Sequence, residues 1–130
     1  MRTRYSFLLL GLVLILGCGE SKYAPVSGTV TMDGDPLADV LVTFQPAGDT
    51  MNPGPGSSGR TNEKGEYTLK VIGENQQGAV IGMHTVQIQH MGAGKASAKI
   101  AIPPKYSALT DLKYEVKRGS NTANFDLTSK

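Results

Sequence analysis

Residues Gly28 to Phe44 read GTVTMDGDPLADVLVTF. From Val40 to Gln45 the pattern alternates. Val40, Val42 and Phe44 fall on one face, and Leu41, Thr43 and Gln45 on the other, which is the period of a strand with one buried side. The segment PVSGTVTM, Pro25 to Met32, is a first candidate strand. Between the two lies DGDP, Asp33 to Pro36. Gly34 takes positive φ without a Cβ clash, and Pro36 presets its own φ near about −65°, so this is a turn. Pro46 ends the second strand.

The segment GRTNEKGEYTLKV, Gly59 to Val71, reads as a hairpin. Asn62 to Gly65 form its connection, with Gly65 in the left-handed position. Tyr67, Leu69 and Val71 share one face and are expected in the core. MHTVQIQHM, Met83 to Met91, alternates again. Gly92 to Gly94 turn the chain into a strand over Ala96 to Ile102, and Pro103 to Lys105 stop it, because proline cannot donate to a ladder. LKYEV, Leu112 to Val116, and ANFDL, Ala123 to Leu127, close the series around Gly119. Ala47 to Gly59, AGDTMNPGPGSSG, has little apolar surface and reads as a long mobile loop. With about seven strands and no helix in the body, the expected fold is all-β, a single antiparallel β-sandwich that buries one face of each strand. A closed barrel is the alternative.

The two quoted segments together resemble the carboxypeptidase regulatory-like domain, a member of the transthyretin-like (prealbumin-like) group. The positions that carry the resemblance are Gly28, Val30, Asp33, Gly34, Pro36, Leu37, Val40, Val42, Thr61, Gly65 and Tyr67. These are turn formers and core positions. The resemblance therefore implies a Greek-key sandwich and no particular activity.

The chain has 130 residues, with 16 glycines, 7 prolines and one cysteine. One cysteine excludes an intramolecular disulfide. That cysteine ends the stretch LLLGLVLILGCGES, Leu8 to Ser21. The apolar run from Tyr5 to Gly17 is shorter than the roughly 20 residues a bilayer span requires. Arg2 and Arg4 precede it, and the small Gly17 stands before Cys18. A basic tip, a short apolar run and a small residue before a cut describe a secretory signal peptide. Ile15-Leu16-Gly17-Cys18 resembles the bacterial lipobox, which implies cleavage between Gly17 and Cys18, a diacylglycerol on the Cys18 thiol and an acyl chain such as palmitate on the new amine. Several chains are needed, because a single myristoyl-sized chain binds a membrane only reversibly. An ordinary signal peptide and an uncleaved anchor are the alternatives. Gly19, where inner-membrane lipoproteins carry aspartate, implies sorting to the outer membrane in a diderm host.

This reading divides the chain into a signal over residues 1–17, a lipid-anchored tether over 18–24 and a domain over 25–130. Removing 17 of the 130 residues leaves 113, enough for one domain. Without Arg2 and Arg4 the 13 basic residues become 11, against 11 acidic ones. A neutral mature chain with no basic block gives no reason to expect nucleic acid.

Motifs for chemistry are sparse, and neither a catalytic residue, a cofactor nor a metal is expected. His84 and His90 lie on one strand, roughly 20 Å apart. They are too distant to share an ion and read as polar rim residues. Asp33, Asp35 and Asp39 lack the continuing ligands and distal glutamate of a calcium loop. GAGKAS, Gly92 to Ser97, has Ala96 where a phosphate loop needs Ser or Thr. Ser57 and Ser58 lack a positioned base. KRGS, Lys117 to Ser120, is similar to the terminal motif of hydroxyisourate hydrolase, but Val116 replaces its tyrosine and the chain continues. The expected function is therefore a non-catalytic, membrane-anchored surface lipoprotein whose sandwich is an interaction or structural module of the bacterial envelope. Its expected partners are the membrane and an envelope protein or glycan. A small-ligand or carbohydrate-binding module is the alternative, with Tyr23, Tyr106 and Tyr114 as the candidate aromatics.

Overall fold

Val40, Val42 and Phe44 are fully buried, and with them the alternation of the second strand acquires its reason. The structure, a computed structural model, describes residues 22–47, 53–91 and 101–130. Among these residues the strands are β1 (Tyr23–Ala24), β2 (Val26–Met32), β3 (Asp35–Pro36), β4 (Val40–Pro46), β5 (Ser57–Arg60) and β6 (Glu66–Thr68). They continue with β7 (Lys70–Val71), β8 (Ala79–Val80), β9 (Gly82–His90), β10 (Lys113–Val116), β11 (Asn121–Thr122) and β12 (Phe125–Leu127). A 3₁₀ turn, Pro104–Tyr106, follows Pro103. The fold is all-β.

One sheet runs β10-β9-β4-β5-β7, every neighbour antiparallel. The other is built around β2. On one side β6 and β3 pair with it antiparallel, and on the other β11 and β12 pair with it parallel. The sandwich is thus antiparallel except at the chain's last two strands. Val26, Val30 and Met32 from β2 meet Val42, Phe44, Val86 and Ile88 in a shared apolar core. The Phe44 ring contacts Phe125 edge-on, with centroids 6.2 Å apart. Truncating a fully buried phenylalanine to alanine costs about 3–5 kcal/mol, so Phe44 is a principal contributor to stability.

The turn after β2 has two consecutive positive φ angles, 51° at Asp33 and 89° at Gly34. A two-residue Asp-Gly connection of this kind matches the twist of the paired strands. Pro36 then occupies an edge strand, where its missing N–H costs no ladder bond.

Four expectations need correction. Gly59 to Val71 is not a hairpin. β5 pairs with β4 and β7, whereas β6 pairs with β2, so the Asn62–Gly65 turn carries the chain from one sheet to the other. The turn is held on both sheets: Thr61 N–H donates to the Val40 carbonyl, and Val30 N–H donates to the Gly65 carbonyl. Gly65 does take positive φ, and Tyr67, Leu69 and Val71 are buried.

The Ala47–Gly59 stretch is not wholly loop, since Ser57 to Arg60 form β5 and Ser57 is fully buried. Residues 48–52 lie outside the described residues. The glycines here serve close approach, for a Cβ on Gly59 would stand 2.5 Å from the Thr68 carbonyl oxygen.

His84 is not a rim residue; it is fully buried. It shares its face with Val86 and Ile88, and the core extends one row further than expected, closed by Phe44 with ring centroids 5.6 Å away. Finally, Tyr23 and Ala24 are part of the folded body rather than tether, paired with Val80 and Ala79. The strand expected over Ala96 to Ile102 falls largely outside the described residues, and Ala101 and Ile102 are not in a strand.

Candidate functional site

Gly17 and Cys18, the residues that the sequence reading places at a cut and a lipid, lie outside the described residues. The described chain begins at Lys22, whose carbonyl accepts a hydrogen bond from Ile81 N–H at 3.0 Å. β1 follows at once. The chain is thus bonded into the sandwich from Lys22 onward, inside the stretch 18–24 that the sequence reading assigns to the tether.

A turn from the other end of the chain is riveted to this entry point. Val116 ends β10 beside Gly82. Lys117, Arg118, Gly119 and Ser120 follow, all exposed. Asn121, only 7% exposed, organises them. Its Oδ1 accepts from Lys117 N–H at 2.9 Å. Its Nδ2 donates to the carbonyls of Lys117 at 2.8 Å and Gly119 at 3.0 Å. The same amide reaches the Pro25 carbonyl at 3.2 Å, and Asn121 N–H donates to that carbonyl as well. The backbone of a turn with two basic residues is thereby held next to the start of the body. The Tyr23 hydroxyl, at the same end, donates to Glu74 at 3.0 Å, and this bond raises the phenol above its ordinary pKa.

Elsewhere the buried polar groups serve the frame. Tyr67 donates its hydroxyl to the Ala123 carbonyl. Burial holds that phenol well above the usual tyrosine range. Thr61 Oγ1 accepts from Val40 N–H. Hydrogen bonds from the Ser129 side chain and from Ser129 N–H, the latter to Asp33 Oδ1, hold the Asp33 carboxyl below its usual range. Asp39 pairs with Arg60 at 2.7 Å. Asp33 and Asp39 thus sit in turns and Asp35 in the short strand β3, each with its own local geometry.

A surface cleft of about 330 Å³ lies between the sheets, lined by Arg60, Asn62, Glu66, Tyr67 and Thr68. The Tyr67 hydroxyl turns away from it to reach Ala123. The three candidate tyrosines do not gather around this cleft. Tyr114 and Tyr106 pack against the core, and the Tyr114 ring meets Phe44 at a tilt of 56° with centroids 5.7 Å apart. Tyr106 exchanges hydrogen bonds with Thr128. Among the described residues no group of three or more His, Cys, Asp or Glu is placed to hold a metal ion. Gly92 to Ser97 lie outside the described residues.

No family model matches the chain, and no curated protein matches it. A solved structure that resembles it is a DUF3823 family protein from Parabacteroides merdae, at 14% identity and a TM-score of 0.48. The likeness covers 82% of this chain and 46% of that one, so this chain spans about half the length of that relative.

Sequence reasoning missed Asn121 and the inward His84. Asn121 follows Gly119 by two residues, in a turn whose glycine has a φ of 88°, and an asparagine beside such a turn is a recognisable signal for backbone hydrogen bonding. For His84 the signal was the alternation itself, which puts it in phase with Val86 and Ile88.

Proposed function

We propose that this protein is a membrane-anchored surface lipoprotein whose β-sandwich is a non-catalytic interaction or structural module of the bacterial envelope. The sandwich is the observed part. The anchor rests on the sequence from Arg2 to Cys18, a basic tip, a short apolar run and a single cysteine after a glycine. The observation that carries the reading is the position of the first described residue. Lys22 is hydrogen-bonded into the body only four residues after Cys18. Four residues span at most about 14 Å. A lipid on Cys18 would therefore hold the sandwich directly at the bilayer surface, in a thin layer where its effective concentration toward neighbours is high.

The second support is how the frame uses its polar groups. Tyr67, Thr61 and Asn121 are buried, and their side chains bond backbone groups of distant segments. They join parts of the sandwich.

The test is a comparison of the native chain with Cys18→Ser in a bacterial host supplied with an alkyne-bearing fatty acid. The native chain is expected to incorporate the label and to leave the membrane fraction only with detergent. The variant is expected to lose the label. A native chain that takes up no label and stays in the soluble fraction contradicts the proposal.

A further inference from the structure

The strands give the sandwich two distinct ends. β2, β4 and β9 place Val26, Pro46 and His84 toward the end where the chain enters, and Met32, Val40 and His90 toward the other. The entry end carries Lys22, Lys70, Lys117 and Arg118, against the acidic Glu74 and Glu115. The opposite end carries the turns with Asp33, Asp35, Asp39 and Glu63, offset by Arg60, Lys64, Lys105 and Lys130. The net positive end is thus the one nearest Cys18. Ile72, 54% exposed, stands on the same end, its N–H bonded to the Gly56 carbonyl.

We infer that the entry end of the sandwich docks on anionic phospholipid headgroups, through Lys22, Lys117 and Arg118, so that the body has a fixed orientation on the membrane. This deepens the anchored reading proposed above and rests on it. Three features carry it. The tether's reach of about 14 Å lets this end touch the bilayer while confining it there. The basic turn is pre-formed, because the side chain of Asn121 holds Lys117 and Gly119 against Pro25. Little ordering is then left to pay on docking. The attraction of Lys and Arg to an anionic surface acts within roughly a Debye length, about 8 Å, which a body tethered this closely can enter. Each basic residue at such a surface favours the docked orientation about fivefold.

The partner is the lipid surface itself rather than a protein. The charge and the lone exposed isoleucine sit around the membrane attachment point, where a bilayer is the nearest neighbour. Docking of this end leaves the Asp33–Asp35 and Asn62–Gly65 turns pointing outward.

The experiment uses the full chain, purified with its lipid from a bacterial host and reconstituted into phosphatidylcholine vesicles with or without phosphatidylglycerol. A fluorophore is placed at Ser120→Cys in the basic turn, or at Lys64→Cys at the far end, and quenched by nitroxide headgroup lipids. Co-flotation with pure phosphatidylcholine vesicles reads the anchor separately. The expected result is co-flotation, with stronger quenching at position 120 than at 64. That difference should grow with phosphatidylglycerol and shrink in high salt. The docked population should fall about fivefold for each of Lys22→Gln, Lys117→Gln and Arg118→Gln. Co-flotation with equal quenching at both positions, or with quenching indifferent to phosphatidylglycerol, overturns the docking while leaving the anchor standing. Failure to co-float overturns both.

Discussion

The Tyr67 hydroxyl donates to the Ala123 carbonyl directly over Gly28. A Cβ at Gly28 would stand 1.9 Å from that carbonyl oxygen and 3.1 Å from the tyrosine hydroxyl. The three residues come from β2, from β6 and from the link between β11 and β12, so one contact ties the beginning, middle and end of the body together. Ala123 N–H donates in turn to the Ser27 carbonyl.

Tyr67→Phe keeps the ring in the core and removes one donor, leaving a buried carbonyl short of a partner. The expected loss is about 1–3 kcal/mol, read from urea unfolding. Gly28→Ala should cost more than Tyr67→Phe, because the obstacle to its methyl is backbone rather than a movable side chain. The order of the two midpoints is the check.

His84 predicts a pH dependence. Burial holds its imidazole below the usual histidine range. Among the described residues its Nε2 has no hydrogen-bond partner, while Nδ1 lies 3.0 Å from the Gly82 carbonyl. The neighbouring strands place Pro46 and Tyr114 opposite it, with no carboxylate on either side in register. Above about pH 6.5 the ring is neutral in both folded and unfolded chains and contributes no slope. As pH falls through that value the unfolded chain binds a proton that the folded chain does not. Stability therefore falls, levelling off only when the folded ring also protonates. Melting temperatures between about pH 7.5 and 5.5 should drop for the native chain and drop less for His84→Leu.

Asn121→Ala should destabilise by about 2 kcal/mol, because it strips several backbone groups of their partner at a buried site. The effect should be local as well as global. Hydrogen exchange at the Lys117 amide, bonded to Asn121 Oδ1, should accelerate more than at the Val30 amide, which is bonded to Gly65.

Asp39 combines a positive φ of 57° with an ion pair to Arg60. Both side chains are substantially exposed, at 41% and 59%, so the pair is worth little. Asp39→Asn tolerates the left-handed backbone and should change stability by no more than about 0.5 kcal/mol. Asp39→Val, β-branched at the same φ, should cost distinctly more. Equal effects for the two would place the contribution in the charge rather than in the backbone.

The local rules were legible in the sequence where a single segment decides the outcome. The alternation of Val40, Val42 and Phe44, the Asp33-Gly34 turn and the inward set Tyr67, Leu69 and Val71 all follow from periodicity and turn chemistry. What was not legible is which sheet each strand joins. Gly59 to Val71 has the pattern of a hairpin, yet its two halves go to opposite sheets. That choice is made by Val30 and Val40, distant in sequence, whose backbone groups hold the turn. The same blindness hid Asn121, whose partners include Pro25. It also misread Ser57 to Gly59 as loop, because small residues at a close approach and small residues in a loop have the same composition. For the candidate site, the basic residues Lys117 and Arg118 were visible from the start, but their closeness to Lys22 is a product of the fold.

The central claim is that lipid fixes the mature N-terminus to a membrane. Intact mass spectrometry of the protein extracted from its own host tests it most directly. The account predicts a chain that starts at Cys18, lacks the first 17 residues and carries the added mass of a diacylglyceryl group and an N-acyl chain. A chain that retains Met1 to Gly17, with the Cys18 thiol unmodified, would contradict it.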